Sequence, residues 1–201
     1  MQIRPGIACV SVVLAIAQTE AAARSHRPAK DEMADWVLRS GDNRGLPFMV
    51  IDKIGAEVLV FDRVGQLMGT APVLLGSARG DQAYLGAGDR ELSQITPKER
   101  TTPAGRFLAR MGPSQGLGRV LWIDIPSAVA MHPVITANPS EHRRERLRSP
   151  TAKDNRITYG CINISPAFFK NTVRPLFARG GVVYILPEAR PLAATFPAFS
   201  A

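Results

Sequence analysis

Phe48-Met49-Val50-Ile51-Asp52-Lys53-Ile54-Gly55-Ala56-Glu57-Val58-Leu59-Val60-Phe61-Asp62-Arg63-Val64-Gly65 is the stretch that decides the fold class. Two short runs rich in β-branched and aromatic residues flank Lys53-Ile54-Gly55, and a third run, Gln66 to Leu75, follows Arg63-Val64-Gly65. Runs of this length and composition suit strands rather than helices. Each separator is short enough for a hairpin loop with glycine at positive φ. The spacing predicts an antiparallel β-meander.

Further along, Gly105 to Met111 and Arg119 to Ile125 read as two more strands, joined by Gly112-Pro113-Ser114-Gln115-Gly116. Val129 to Ile135 reads as another, with His132 near its end, while Ser77 to Arg100 is polar and reads as a long loop. Ser165-Pro166 opens a helix, with serine as N-cap and proline at the first position, where its missing N–H costs nothing. Phe168, Phe169, Val173, Leu176 and Phe177 give that helix an apolar face, Gly180-Gly181 ends it, and Val182 to Leu186 is a last buried strand. The expected fold is mainly β, a sandwich or partly closed barrel with one main helix after Cys161.

The first residues read as a signal peptide. Arg4 supplies a positive start, Ile7 to Ala17 an apolar run too short to span a bilayer, and Ala21-Ala22-Ala23 the small residues of a cleavage site. The expected organisation is a signal at 1–23, a lead-in segment at 24–45, a catalytic domain at 46–187 and a tail at 188–201. The implied destination is the periplasm or cell envelope.

The chain carries a net charge of +8, and removal of the signal leaves this unchanged because Arg4 and Glu20 leave together. A basic exported protein is drawn to polyanions such as an anionic cell wall. Nucleic acid is not expected as a partner, because no recognition helix, zinc-ligand set or aromatic–basic repeat accompanies the charge.

Cys9 and Cys161 are the two cysteines, and Cys9 falls within the signal. A single thiol in an exported protein is a reactive group or an accident. Cys161 follows Gly160 and has His132 upstream, and a histidine can take the thiol proton and hold the thiolate as an ion pair. His26 lies in the lead-in segment and His142 in a charged stretch, so His132 is the candidate base. Main-chain N–H groups around Tyr159, Gly160 and Cys161 are candidates for an oxyanion hole. The plainer reading makes Cys161 a small core hydrophobe. The polar flanks and Gly160 argue for a surface loop instead.

The stretch 138–156 carries Arg143, Arg144, Arg146, Arg148, Lys153 and Arg156 against Glu141, Glu145 and Asp154. With almost no apolar residues it reads as an exposed loop or short helix between His132 and Cys161. It is either a solvated insertion or a basic lid over the site.

Thr158-Tyr159-Gly160-Cys161-Ile162-Asn163 resembles the active-site signature of the L,D-transpeptidases, the YkuD-type catalytic domain. Thr102-Pro103-Ala104-Gly105-Arg106-Phe107 resembles a second hallmark of that family, and Pro72-Val73-Leu74-Leu75-Gly76 fits the strand that precedes its long loop. The resemblance covers about Leu46 to Pro187. It implies a cysteine acyltransferase acting on peptidoglycan stem peptides: a Cys161 thioester forms with release of D-alanine and passes to an amine acceptor. His132 would be the base, and Gly160 and Tyr159 the oxyanion region. Thr158 and Asn163 would order the loop or contact the stem, and Arg106 would bind a stem carboxylate. No metal or organic cofactor is implied. A hydrolase on the same fold, an L,D-carboxypeptidase or endopeptidase, is the neighbouring alternative, and a catalytically silent wall-binding domain the more distant one. Two positions depart from the family pattern: Tyr159 stands where histidine is usual, and Pro133 follows His132 where glycine is common.

Overall fold

The structure is a computed structural model that describes residues 28–200; the signal expected at 1–23 lies outside the described residues. Helix α1 (Ala29–Ser40) comes first, followed by the meander β1 (Phe48–Asp52), β2 (Glu57–Phe61) and β3 (Leu67–Pro72). The third run is broken at Pro72, and Leu75–Gly76 forms a separate short strand, β4. Strands β5 (Gly105–Ser114), β6 (Gly118–Asp124) and β7 (Val129–Pro133) follow a long loop that contains three short 3₁₀ turns. Helix α2 (Arg143–Arg148) lies in the basic insertion, before β8 (Arg156–Thr158) and β9 (Ile162–Ile164). A helical run at 166–176 leads into β10 (Gly181–Ile185).

Eight strands form one sheet in the order β3-β2-β1-β10-β5-β6-β7-β9. The β1/β10 and β7/β9 pairs are parallel and the other pairs antiparallel. The two edge strands approach each other through the 73–76 segment. Val73 donates its N–H to Ala56, Leu74 exchanges main-chain hydrogen bonds with Asn163, and β4 pairs with β8 in parallel. The sheet is therefore a nearly closed barrel, and the mainly β expectation with one main helix after Cys161 is borne out.

Both faces of β1, β2 and β10 are buried, so these strands read as continuous apolar runs. Met49, Ile51, Val58, Val60, Val183 and Ile185 join the interior cluster. Phe48, Val50, Leu59, Phe61, Val182 and Tyr184 face the other way, against Met33, Trp36 and Val37 of α1 and Phe196 of the C-terminal segment. Phe48 stacks on Phe61 with centroids 4.6 Å apart. The lead-in and the tail thus both pack on the sheet. Gly41, at φ 66, closes α1 by donating to Val37, a left-handed helix end that glycine adopts freely.

Two local details differ from the sequence expectation for physical reasons. β5 runs on through Pro113 because only β6 pairs with it beyond Ala109, so the missing proline N–H leaves no second neighbour without a donor. The helical run widens to a π turn over Phe169–Val173, with Arg174 donating to Phe169. Pro175 follows at once; it has no N–H to offer and its ring crowds a normal helical turn.

The long loop is anchored by a buried ion cluster. Lys53 Nζ contacts Asp81 Oδ1 at 2.8 Å, the carbonyl oxygens of Gly80 and Thr102 at 2.6 and 2.9 Å, and Glu188 Oε1 at 3.7 Å. Arg156 grips Glu188 with two nitrogens, at 3.1 and 2.6 Å. Asp81 also accepts the main-chain N–H groups of Glu188, Ala189 and Arg190. Two cations and two anions balance, which makes burial of all four tolerable. The cluster joins the end of β1, the loop, β8 and the chain after β10.

Candidate active site

The site lies where β7, β9 and the loop before β9 meet. His132 pairs with Asn163 across the parallel β7/β9 ladder. Cys161 precedes Asn163 by two residues, and side chains two apart along an extended segment share a face. The topology thus sets the His132 ring against Asn163 and places Cys161 immediately before β9. Cys161 is half-buried and His132 only 4% exposed.

The loop carrying the thiol is held from behind. Gly160 has φ +131, and a Cβ there would sit 2.8 Å from the Thr101 carbonyl oxygen, so no larger residue fits without displacement. Thr102, fully buried, receives the Gly76 N–H and donates to the Gly160 carbonyl, both at 2.9 Å. The Thr-Pro segment is therefore the strut of the thiol loop. Thr158 Oγ1 donates to the Cys161 carbonyl and accepts the Gly160 N–H at 3.1 Å. Thr158 orders the loop, and the Gly160 N–H is engaged within it.

The hydrogen bonds around His132 have one consistent direction. Nδ1 lies 2.9 Å from the Pro133 carbonyl oxygen, which can only accept, so Nδ1 carries the proton. Nε2 then accepts, and its partner is Asn163 Nδ2 at 3.1 Å. The amide is oriented by Arg143, whose Nη1 donates to Asn163 Oδ1 at 2.9 Å. Arg143 is also paired with Glu141, at 2.5 Å. Pro133, which stands where a glycine is common in the resembled family, leaves the carbonyl that fixes the tautomer in place.

The thiol's hydrogen bond goes to the Ala128 carbonyl oxygen, at 3.5 Å, while Nε2 of His132 is taken by Asn163. Burial pushes the Cys161 thiol up, opposed by a hydrogen bond with the Ala130 main chain and by the Arg143 charge. Burial holds His132 down, opposed by its bond to Pro133 and reinforced by Arg143. Both groups therefore favour their neutral forms.

Tyr159 is exposed at 37%, and the Arg100 guanidinium lies over its ring, 4.2 Å from the centroid. Arg100 is tied in turn to the Ile95 carbonyl oxygen. Tyr159 belongs to the thiol loop, so this cation–π pair ties that loop to Arg100. Arg106 is placed elsewhere. It pairs with Asp42, which also accepts from Tyr184, and β6 and β7 separate its strand from β9. The carboxylate that Arg106 meets is thus one of the chain's own.

The basic insertion is folded, not merely solvated. Arg146 bonds the carbonyl oxygens of Glu141 and Asp154, Leu147 is buried, and Asn155 Nδ2 bonds Val73 O at 3.0 Å. Sequence reasoning missed Arg143 as a site residue and missed the Lys53 cluster behind Thr102. Among the described residues, no group of His, Cys, Asp and Glu could hold a metal ion. None of the described helices is long and apolar enough to cross a membrane.

No protein-family model and no curated protein matches the sequence. Solved structures similar to the chain, at low identity, include L,D-transpeptidases. One is the catalytic domain of the E. faecium L,D-transpeptidase, with 14% identity, TM-score 0.40, and coverage of 70% of this chain and 96% of that one. Another is an L,D-transpeptidase from Xylanimonas cellulosilytica, with 16% identity, TM-score 0.40, and coverage of 70% and 60%. A third is the helical cell shape determining protein Pgp2 from Campylobacter jejuni, with 13% identity, TM-score 0.47, and coverage of 82% and 58%. The chain spans about three fifths of the last two.

Proposed function

We propose that the chain is an exported cysteine acyltransferase of the L,D-transpeptidase type, acting on peptidoglycan stem peptides in the cell envelope. The observation that carries this reading is the placement of the free thiol of Cys161 just before β9, two residues ahead of Asn163, which pairs in parallel with His132. Around that pair, Gly160 and Thr102 support a thiol loop whose sequence resembles the family signature.

The steps follow from the groups present. Rotation about the Cys161 Cα–Cβ bond turns Sγ from Ala128 toward His132, and Nε2 exchanges the Asn163 amide for the thiol proton. Sγ attacks the carbonyl carbon of the donor stem while the proton passes to Nε2. The C–N bond breaks, the imidazolium returns the proton to the departing D-alanine amine, and a thioester remains. The amine of a second stem then attacks the thioester, its proton goes to His132, and the thiolate leaves and is reprotonated. With Gly160 N–H held by Thr158, the N–H groups of Tyr159 and Cys161 are the candidates to bind the oxyanion. Tyr159, with Arg100 stacked on it, forms the outer wall against which a stem would lie.

Incubation of the mature protein with a disaccharide tetrapeptide, with and without an acceptor stem, tests this reading. A cross-linked dimer absent from Cys161→Ala supports transpeptidation. Release of tripeptide without dimer moves the assignment to the carboxypeptidase or endopeptidase reaction. Absence of both products from a folded sample, with several donor stems, refutes the enzyme reading.

A further inference from the structure

We propose that Arg143, reaching in from the basic insertion, is a positioning residue that acts through Asn163 to hold His132 neutral with Nε2 capped, so that the thiol–imidazole pair rests unionised until the Arg143–Asn163 bond is released. The proposal rests on the thiol–imidazole reading of the site, but its test does not require turnover.

Donors and acceptors fix the arrangement. A guanidinium can only donate, so the Asn163 oxygen faces Arg143, at 2.9 Å. The Asn163 NH₂ must then face Nε2, at 3.1 Å. On the far side of the ring the Pro133 carbonyl can only accept, which places the ring proton on Nδ1. The relay runs one way, from Arg143 through Asn163 and His132 to Pro133. Protonating Nε2 would set two donors face to face. Turning the Asn163 amide to accept from Nε2–H would point its NH₂ at the guanidinium, which is the same conflict moved one link along. His132 and Asn163 are both buried, so water does not relieve either conflict.

The charges around the ring act in the same sense. Arg143 is the charged group that bears on His132 and also on Cys161. Glu141 holds Arg143 Nε and offsets part of its charge, but leaves the Nη1 bond to Asn163 intact. From the loop before β9 the facing titratable group is Cys161, which burial keeps as a thiol. The guanidinium comes from the basic stretch between the candidate base and the nucleophile. Movement of that stretch would release Asn163 and free Nε2 for the thiol proton.

The test is ¹⁵N NMR of the imidazole ring of His132 in the full mature chain, followed with pH, for wild type, Arg143→Leu and Asn163→Ala. The wild-type ring is expected to show a single Nδ1–H neutral form with a titration midpoint below that of free imidazole. In Arg143→Leu the midpoint should move up and an Nε2–H population should appear, because the amide is free to turn. Asn163→Ala removes the cap itself and should also raise the midpoint, which keeps the proposal testable if Arg143→Leu fails to fold. A ring unchanged in tautomer and midpoint in either folded variant overturns it. If the ring responds as expected but Cys161 forms no acyl adduct with any stem, the latch stands and the enzyme reading falls. If adducts form but the ring does not respond, the reverse holds.

Discussion

The amide of Asn163 caps Nε2 of His132 at 3.1 Å across the β7/β9 ladder, and the thiol of Cys161 turns away to the Ala128 carbonyl oxygen. The resting site is therefore a neutral thiol beside a neutral imidazole, not a preformed ion pair. Reactivity measured without substrate should reflect that state.

Alkylation of Cys161 by iodoacetamide should be slower at neutral pH than that of a small free thiol, and should rise steadily into the alkaline range. Burial holds the thiol above its ordinary range, and thiolate is the reacting species. A pH-independent plateau of fast alkylation below neutrality would contradict this. The linkage has a definite sign. A thiol raised by folding contributes stability below its unfolded pKa of about 8.5, and that contribution is lost as pH rises from there through the folded value.

Thr102→Val should destabilise the fold by roughly 2–4 kcal/mol, because it leaves the Gly76 N–H and the Gly160 carbonyl without their shared partner. Thr102→Ser keeps the hydroxyl and should lose about 1 kcal/mol or less. Denaturant midpoints at unchanged slope measure both. A larger loss in Thr102→Ser than in Thr102→Val would show that the methyl group, not the hydroxyl, supports the thiol loop.

Lys53→Met should be among the most destabilising single changes, costing about 3–5 kcal/mol, since Asp81 and Glu188 stay buried with Arg156 and the distant, exposed Arg190 against them. Acid should weaken the wild type in two stages. His132 is held down in the fold, so stability falls as pH drops through the unfolded histidine value of about 6.5 toward the folded one. Asp81 is lowered: burial, which opposes this, is outweighed by its bonds to Lys53 and to the Glu188 and Ala189 main chain. Its contribution is present above about 3.9 and is lost as pH falls through its folded value. Stability measured by urea unfolding from pH 8 to pH 3 checks both stages, and a flat profile would contradict them.

Gly160→Ala should abolish acyl transfer while leaving most of the fold intact. The added methyl meets the Thr101 carbonyl at 2.8 Å, and φ +131 is unfavourable for alanine, so the thiol loop must shift. Circular dichroism with the stem assay measures this, and full activity would show that the loop position is unimportant.

The fold was legible in the sequence where short β-prone runs meet a loop signal, as in Phe48 to Phe61, although the positive φ of that hairpin falls on Ala56 and not on Gly55. Cys161 and His132 were legible as candidates from residue type alone. The register that makes Asn163 the residue opposite His132 was not, because parallel pairing across the insertion leaves no local pattern. Arg143 was hidden in a run of arginines whose composition reads as solvated surface, and nothing local separates it from Arg144. The Lys53 cluster was invisible because Asp81, Arg156 and Glu188 are distant in the chain and each alone reads as a surface charge. Arg106 shows the converse: an arginine near a motif suggests a substrate carboxylate, yet Asp42 already fills that role.

Intact-mass spectrometry of the mature chain after incubation with a disaccharide tetrapeptide, with proteolytic mapping of any adduct, tests the central claim most directly. The account predicts an acyl adduct on Cys161, of the mass of the stem less its terminal D-alanine, absent from Cys161→Ala. An unmodified Cys161 in folded protein, or an adduct that persists in Cys161→Ala, would contradict it.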